Sequence, residues 1–207
     1  MKTKLFLDAE FTGLHQTTTL ISLGIISECG KSFYAEFTDY DKTQLNDWLE
    51  ENVIANTWVA INKPITSMGE VVTKNLADNH KWADVHVFGS TDYIKPFLEE
   101  WLSQFEEVVI WSDCLAYDWV LFCNIWGHAF NIPKNIFYIP MDICTLFEIK
   151  GIDPDISRED FSIKDILENF KTFFPHRNFP KKNGLRKHNA FWDACIIRMC
   201  YDKLIKL

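Results

Sequence analysis

No run of apolar residues approaches the roughly 18 needed to cross a bilayer, and Met1-Lys2-Thr3-Lys4 leads straight into an apolar stretch, leaving no room for a signal peptide. A cytoplasmic protein with no membrane association is the expectation. Paired cysteines are missing too. Cys29, Cys114, Cys123, Cys144, Cys195 and Cys200 show no C-x-x-C spacing and lie mostly in apolar segments, so reduced core thiols account for them better than zinc or disulfides. Positive charge is also scarce. With 21 Lys and Arg against 29 Asp and Glu, the net charge is −8, which argues against the broad basic surface that grips long nucleic acids. A grip on only a few nucleotides remains compatible with that charge.

Apolar and aromatic residues are abundant. Hydrophobic side chains make up 47% of the chain, with eight Trp and seventeen Phe, enough for a well-filled core. At 207 residues the chain is expected to form one domain spanning 1–207. The stretch LFLDAEFTGL, residues 5–14, reads as a strand entering a turn. Alternation puts Asp8 and Glu10 on one face, roughly 7 Å apart. An edge strand with a solvated face is one reading. The apolar Leu5-Phe6-Leu7 before the pair and Leu20–Ile26 after the turn favour a central strand covered on both faces. Carboxylates in such a strand need a partner, and a divalent cation is the natural one.

Further along, Thr19–Ser27 and Ser32–Phe37 read as strands that complete a meander through the Glu28–Lys31 turn. Residues 41–88 give mixed periodicity beyond a short helix around Leu45, Trp48 and Leu49. Ser90-Thr91-Asp92 opens a helix whose apolar positions run from Ile94 to Phe105 at helical spacing. Val108–Trp111 reads as a buried parallel strand, followed by a helix over 115–126. A strand over 137–143, a short helix over 162–170 and a closing helix over 189–205 complete the expectation.

Two of these helices carry an aspartate on their apolar face. Asp118 shares its stripe with Leu121, Phe122 and Ile125, and Asp193 shares its own with Ile196, Ile197, Cys200 and Leu204. Helix capping or a dipole interaction is the alternative for Asp118, and weaker for Asp193, which lies a turn inside its helix. Four inward carboxylates would repel one another unless cations joined them. Two divalent ions would balance four charges, as in two-metal phosphodiester hydrolysis.

Asp8-Ala9-Glu10-Phe11-Thr12-Gly13-Leu14, Ala116-Tyr117-Asp118 and His188-Asn189-Ala190-Phe191-Trp192-Asp193 resemble, in order, the three motifs of the DEDDh 3'-to-5' exonucleases. LAYDWVLFCNIWG is similar to the corresponding part of the ribonuclease AS exoribonucleases, which favour adenylate tails. The resemblance implies an RNase H-like α/β fold, a mixed five-stranded sheet flanked by helices. It implies that Asp8, Glu10, Asp118 and Asp193 hold two Mg²⁺ (or Mn²⁺), with His188 as general base. For His188 alone, an ordinary surface residue is the alternative. It further implies that Phe11 and Thr12 border the 3'-terminal nucleotide, although core packing serves Phe11 equally well. The basic segment with Lys181, Lys182, Arg186 and Lys187 suits phosphate contact or, alternatively, is a solvated loop.

The implied activity is a 3'-to-5' exoribonuclease that releases 5'-mononucleotides from single-stranded RNA 3' ends, and a homodimer is compatible with it. An exodeoxyribonuclease of the same mechanism and a non-catalytic nucleic-acid-binding module are the alternatives. One departure stands out: Asp113-Cys114 occupies the place where the wider family often carries His-Asn.

Overall fold

The computed structural model describes residues 2–62, 71–76, 82–162 and 187–207. Strands β1 (Thr3–Phe11), β2 (Leu20–Ser27) and β3 (Ser32–Phe37) form the expected antiparallel meander. Beyond β3 lie β5 (Trp82–Gly89), parallel to it, and β4 (Val71–Leu76), antiparallel to β5. On the other side of β1 come β6 (Val108–Ser112) and the short β7 (Met141–Asp142), each parallel to its inner neighbour. The order is β4-β5-β3-β2-β1-β6-β7.

Helices flank this mixed sheet. Short helices α1 (Asp47–Asn52) and α2 (Trp58–Asn62) follow β3. Next come α3 (Thr91–Leu102), α4 (Leu115–Asn124), α5 (Ile143–Ile149) and the C-terminal α6 (Ala190–Leu204). Residues 158–162 are also helical. Of the expected helix over 162–170, everything after 162 lies outside the described residues. No helix among the described residues is long and apolar enough to cross a membrane.

Among the described residues the sheet has seven strands, two more than expected. The two additions, β4 and β5, come from the stretch whose periodicity could not be read. In β5, Asp84 and His86 share the face of Tyr34, which packs with α6. Asp84 accepts a hydrogen bond from Ser32 Oγ at 2.6 Å, and the His86 ring meets Tyr34 and Trp58 edge-on. Polar partners buried across the sheet thus disguised a core strand as a mixed segment. The strand expected over 137–143 shrinks to Met141–Asp142. Pro140 has no amide hydrogen to give a neighbour, and Asp142 caps α5 by accepting from the amides of Cys144 and Thr145. All six cysteines are free thiols, although Cys29 and Cys114 are exposed rather than in the core.

Alternation along β1 divides its side chains between two cores. Leu5, Leu7 and Ala9 pack with α3 and α4 residues such as Leu98, Trp101 and Phe122, while Phe6 packs with α5 and α6. Asp8 and Glu10 therefore face α6. Opposite Asp8, on β2, stands Gly24. The first turn of α6 lies so close above it that an added Cβ would overlap the Ala190 carbonyl and the Phe191 amide. Gly24→Ala is expected to lower stability by about 1–3 kcal/mol, because helix and sheet must separate. Urea denaturation of the variant beside the parent measures that loss.

Candidate active site

Asp8 and Glu10 sit near the C-terminal end of β1, where a register shift between Glu10 and Phe11 ends the regular ladder. Asp118 lies in the first turn of α4 and Asp193 in the first turn of α6. Two helix starts and one strand end thus bring four carboxylates together at the C-terminal end of β1, inside the sheet. Asp8, Glu10 and Asp193 line a cleft of about 580 Å³, and Asp118 is fully buried beside it. Ser112, the last residue of β6, donates its hydroxyl to Asp118 Oδ2, while Asp118 Oδ1 is buried with no hydrogen-bond partner.

His188 immediately precedes Asn189, the N-cap of α6, whose Oδ1 accepts from the Trp192 amide. Its backbone is left-handed, with φ at 65°, a conformation that costs a non-glycine residue about 1–2 kcal/mol. Its amide donates to Asp193 Oδ2 at 2.7 Å. Asp193 thus reaches back to the residue before the N-cap, a capping-like contact that was the weaker alternative for its place in the helix. The imidazole Nδ1 lies 3.9 Å from Glu10 Oε1, and the ring meets Trp48 edge-on at 5.0 Å. Candidate ligand atoms of Glu10, His188 and Asp193 all lie within 4.8 Å of one another.

Burial and mutual repulsion hold these acids far from their ordinary behaviour. Burial first, and then Asp193, Asp118 and Glu10, push Asp8 well above the usual carboxylate range. Glu10 is raised to about 8 by burial, then by Asp193 and Asp118. Asp118 and Asp193 are each raised to about 7, chiefly by burial, against the opposing hydrogen bonds from Ser112 and from the His188 amide. His188 moves the other way. Burial and the neighbouring Lys187 lower it, against a raising influence from Glu159, which favours the neutral imidazole.

Of the residues expected to touch substrate, Phe11 and the exposed Lys187 line the cleft. Phe11 stacks on Tyr117 with ring centroids 5.4 Å apart. Thr12 is only 4% exposed and does not line the cleft; its hydroxyl is engaged with Gln44, Thr18 and Thr19. Lys181, Lys182 and Arg186 lie outside the described residues.

Asp113 and Cys144 prove to be parts of one clamp. Arg158 pairs with Asp113 Oδ1 at 2.9 Å and also donates to the Pro154 carbonyl and to Cys144 Sγ. The Cys144 thiol, pushed up to about 12 by burial and then by Asp113, stays protonated and donates to Asp113 Oδ1. The clamp ties the segment 154–158 to the residue pair just before α4. Ser112, Arg158 and Glu159, which accepts from the Trp192 indole at 2.8 Å, were not singled out from sequence. Each follows an apolar run or sits in a mixed charged stretch, and neither pattern carries a spacing signal.

No protein-family model matches the chain. Two curated relatives, each a 3'-5' exoribonuclease of Mycobacterium tuberculosis (strains CDC 1551 and H37Rv), are 25% identical over 148 residues, 70% of this chain and 74% of theirs. Among solved structures, cell-death related nuclease 4 (CRN-4) superposes with a TM-score of 0.53 at 15% identity, over 99% of this chain and 64% of that longer one. The fold is RNase H-like.

The raised carboxylates make a specific pH dependence. Their unfolded values lie near 4, so between about pH 4 and 8 the folded state binds more protons than the unfolded one, and stability falls as pH rises through that window. In chelator the parent Tm should drop between pH 5 and 8, and Glu10→Gln should flatten the slope. Thermal scans of both proteins across that range test this; an equal slope would refute the contribution of Glu10.

Proposed function

We propose that the chain is a metal-dependent 3'-to-5' exonuclease of the DEDDh type, acting on the 3' ends of single-stranded RNA. The convergence of Asp8, Glu10, Asp118 and Asp193 at one cleft edge, with a neutral His188 beside Glu10, carries the reading. The activity in the names of the mycobacterial relatives and of the CRN-4 nuclease supports it. The donor set suits hard divalent cations such as Mg²⁺ or Mn²⁺: it is made of carboxylates, and the buried Asp118 Oδ1 has no other partner. Asp8, Glu10, Asp118 and Asp193 would hold two such ions, which supply charge stabilisation at the scissile phosphate and a more acidic water.

The remaining chemistry belongs to the chain. His188, neutral and lining the cleft, accepts the proton of the attacking water on its imidazole. Glu10 lies near enough to steady the imidazolium that forms. Phe11 offers a face to the terminal base, with Tyr117 stacked behind it. Lys187, together with Lys181, Lys182 and Arg186, neutralises phosphates leading into the cleft. The ribonuclease AS resemblance adds a preference for adenylate ends and a homodimer to the same proposal.

Labelled oligonucleotides with free, 3'-phosphorylated and circularised ends, as RNA and as DNA, in Mg²⁺, Mn²⁺ or chelator, test the reading. Stepwise release of 5'-mononucleotides from free RNA ends is expected, with arrest at a 3'-phosphate and in chelator. Rapid cutting of the circle would replace the exonuclease with an endonuclease.

Site variants check the roles. Asp8→Asn and Asp193→Asn should lose activity by several orders of magnitude while remaining folded, because a buried charge cluster is relieved as cation binding fails. His188→Ala should lose about a hundredfold in kcat with cation affinity little changed. Near-parental rates in either aspartate variant would remove those residues from the site, and loss of cation binding in His188→Ala would make it a ligand.

A further inference from the structure

The segment after β3, of which only a short helix was legible in the sequence, reaches the candidate active site at one buried polar residue, Asn56. It ends a short turn, Ile54–Asn56, and is 4% exposed. Its side-chain amide donates to the Lys187 carbonyl at 3.1 Å and to the Asn52 carbonyl. Its own main-chain carbonyl accepts from the Asn189 side chain at 2.8 Å. Asn56 thus holds both chain neighbours of His188.

The Lys187 carbonyl and the His188 amide are the two ends of a single planar peptide group. One end is held by Asn56 and the other by Asp193 Oδ2 at 2.7 Å. With that plane held on one side and Asn189 on the other, the two rotations at His188 are confined, and it is kept in its left-handed conformation. Such a conformation persists where its surroundings over-determine it. On the far side, Asn189 is fixed by Asn56, by the Tyr34 hydroxyl at 3.4 Å and by its cap to Trp192. The same segment governs the ring: Trp48, in α1, meets the imidazole edge-on at 5.0 Å while remaining 53% exposed.

We propose that Asn56 is a positioning residue for His188, aiming the imidazole through the 187–188 peptide plane, with Trp48 limiting the swing of the ring. The inference rests on the reading of His188 as the base. It assigns the stretch 46–58 a part in turnover without substrate contact.

A double-mutant cycle separates this role from simple scaffolding. Asn56→Asp keeps the volume and removes the N–H donor. It should lower kcat by about 10- to 100-fold, as small misplacements of a reacting group do, with KM for a single-stranded RNA oligonucleotide changed less than about twofold. In a His188→Ala background the same substitution should change kcat by less than about twofold, because the group it aims is gone. An equal loss in both backgrounds, or a loss confined to KM, overturns the proposal.

Trp48→Ala, at an exposed site that leaves the core intact, provides a second arm: a kcat loss that likewise vanishes in the His188→Ala background. Additive behaviour there overturns the part assigned to Trp48. A readout independent of activity completes the test. In NMR spectra of the metal-free protein, Asn56→Asp should move the His188 ring signals, which sense the Trp48 ring, and leave His128 and His15 in place. Unmoved His188 signals refute the positioning role whether or not the parent degrades RNA, whereas an inactive parent with moved signals refutes the exonuclease reading alone.

Discussion

How closely α6 can lie on the sheet sets everything at the cleft. Gly24 faces the first turn of the helix across a gap that holds no side chain, and in the register of the meander it stands opposite Asp8. A glycine on one strand therefore determines how near Asp193 comes to the carboxylates of the next. That nearness is electrostatically unfavourable in the bare protein: burial raises each of the four acids, and for Asp8 and Glu10 the other acids of the group raise it further. The packing that stabilises the core and the repulsion that burdens the site share one contact.

Charge around the cleft is arranged to leave this repulsion largely uncompensated from within. Among the described cleft-lining cations, Arg158 is tied to Asp113 and to backbone carbonyls, and Lys187 is exposed at the rim. Under the proposed function, a polyanion approaching this acidic pocket depends on cations held by the protein's own carboxylates. Cation and substrate then favour each other's binding, and by linkage the effect is reciprocal. The net charge of −8, which seemed at odds with a nucleic-acid substrate, becomes compatible with one held at a few positions.

Much of this was legible in the sequence wherever one periodicity held without interruption. Period-two alternation in Leu5–Glu10 placed both carboxylates on one face of the strand, and helical spacing put Asp118 and Asp193 on inward faces. The reading failed where buried polar residues answered partners far along the chain. Asp84 on β5 is paired with Ser32, and Asn56 with Lys187 and Asn189, so local pattern saw only polar residues in a mixed stretch. Thr12 is instructive in the opposite direction. The resemblance implied a substrate contact for it, whereas its hydroxyl is engaged by Thr18, Thr19 and Gln44. Asp113, at the place where the resembled family often carries histidine, has its partner in Arg158, 45 residues later.

The bond between the His188 amide and the Asp193 carboxylate also bears on how this site comes apart. Under the proposed function, the proton acceptor and one cation ligand lie five positions apart, joined by that bond and by the Asn189 cap. Fraying of the first turn of α6 would withdraw both groups together, before the rest of the helix or the sheet had opened. The site would then have its own melting point below that of the fold: a locally unfolded state with an intact core, able to regain both groups in one step when the turn rewinds.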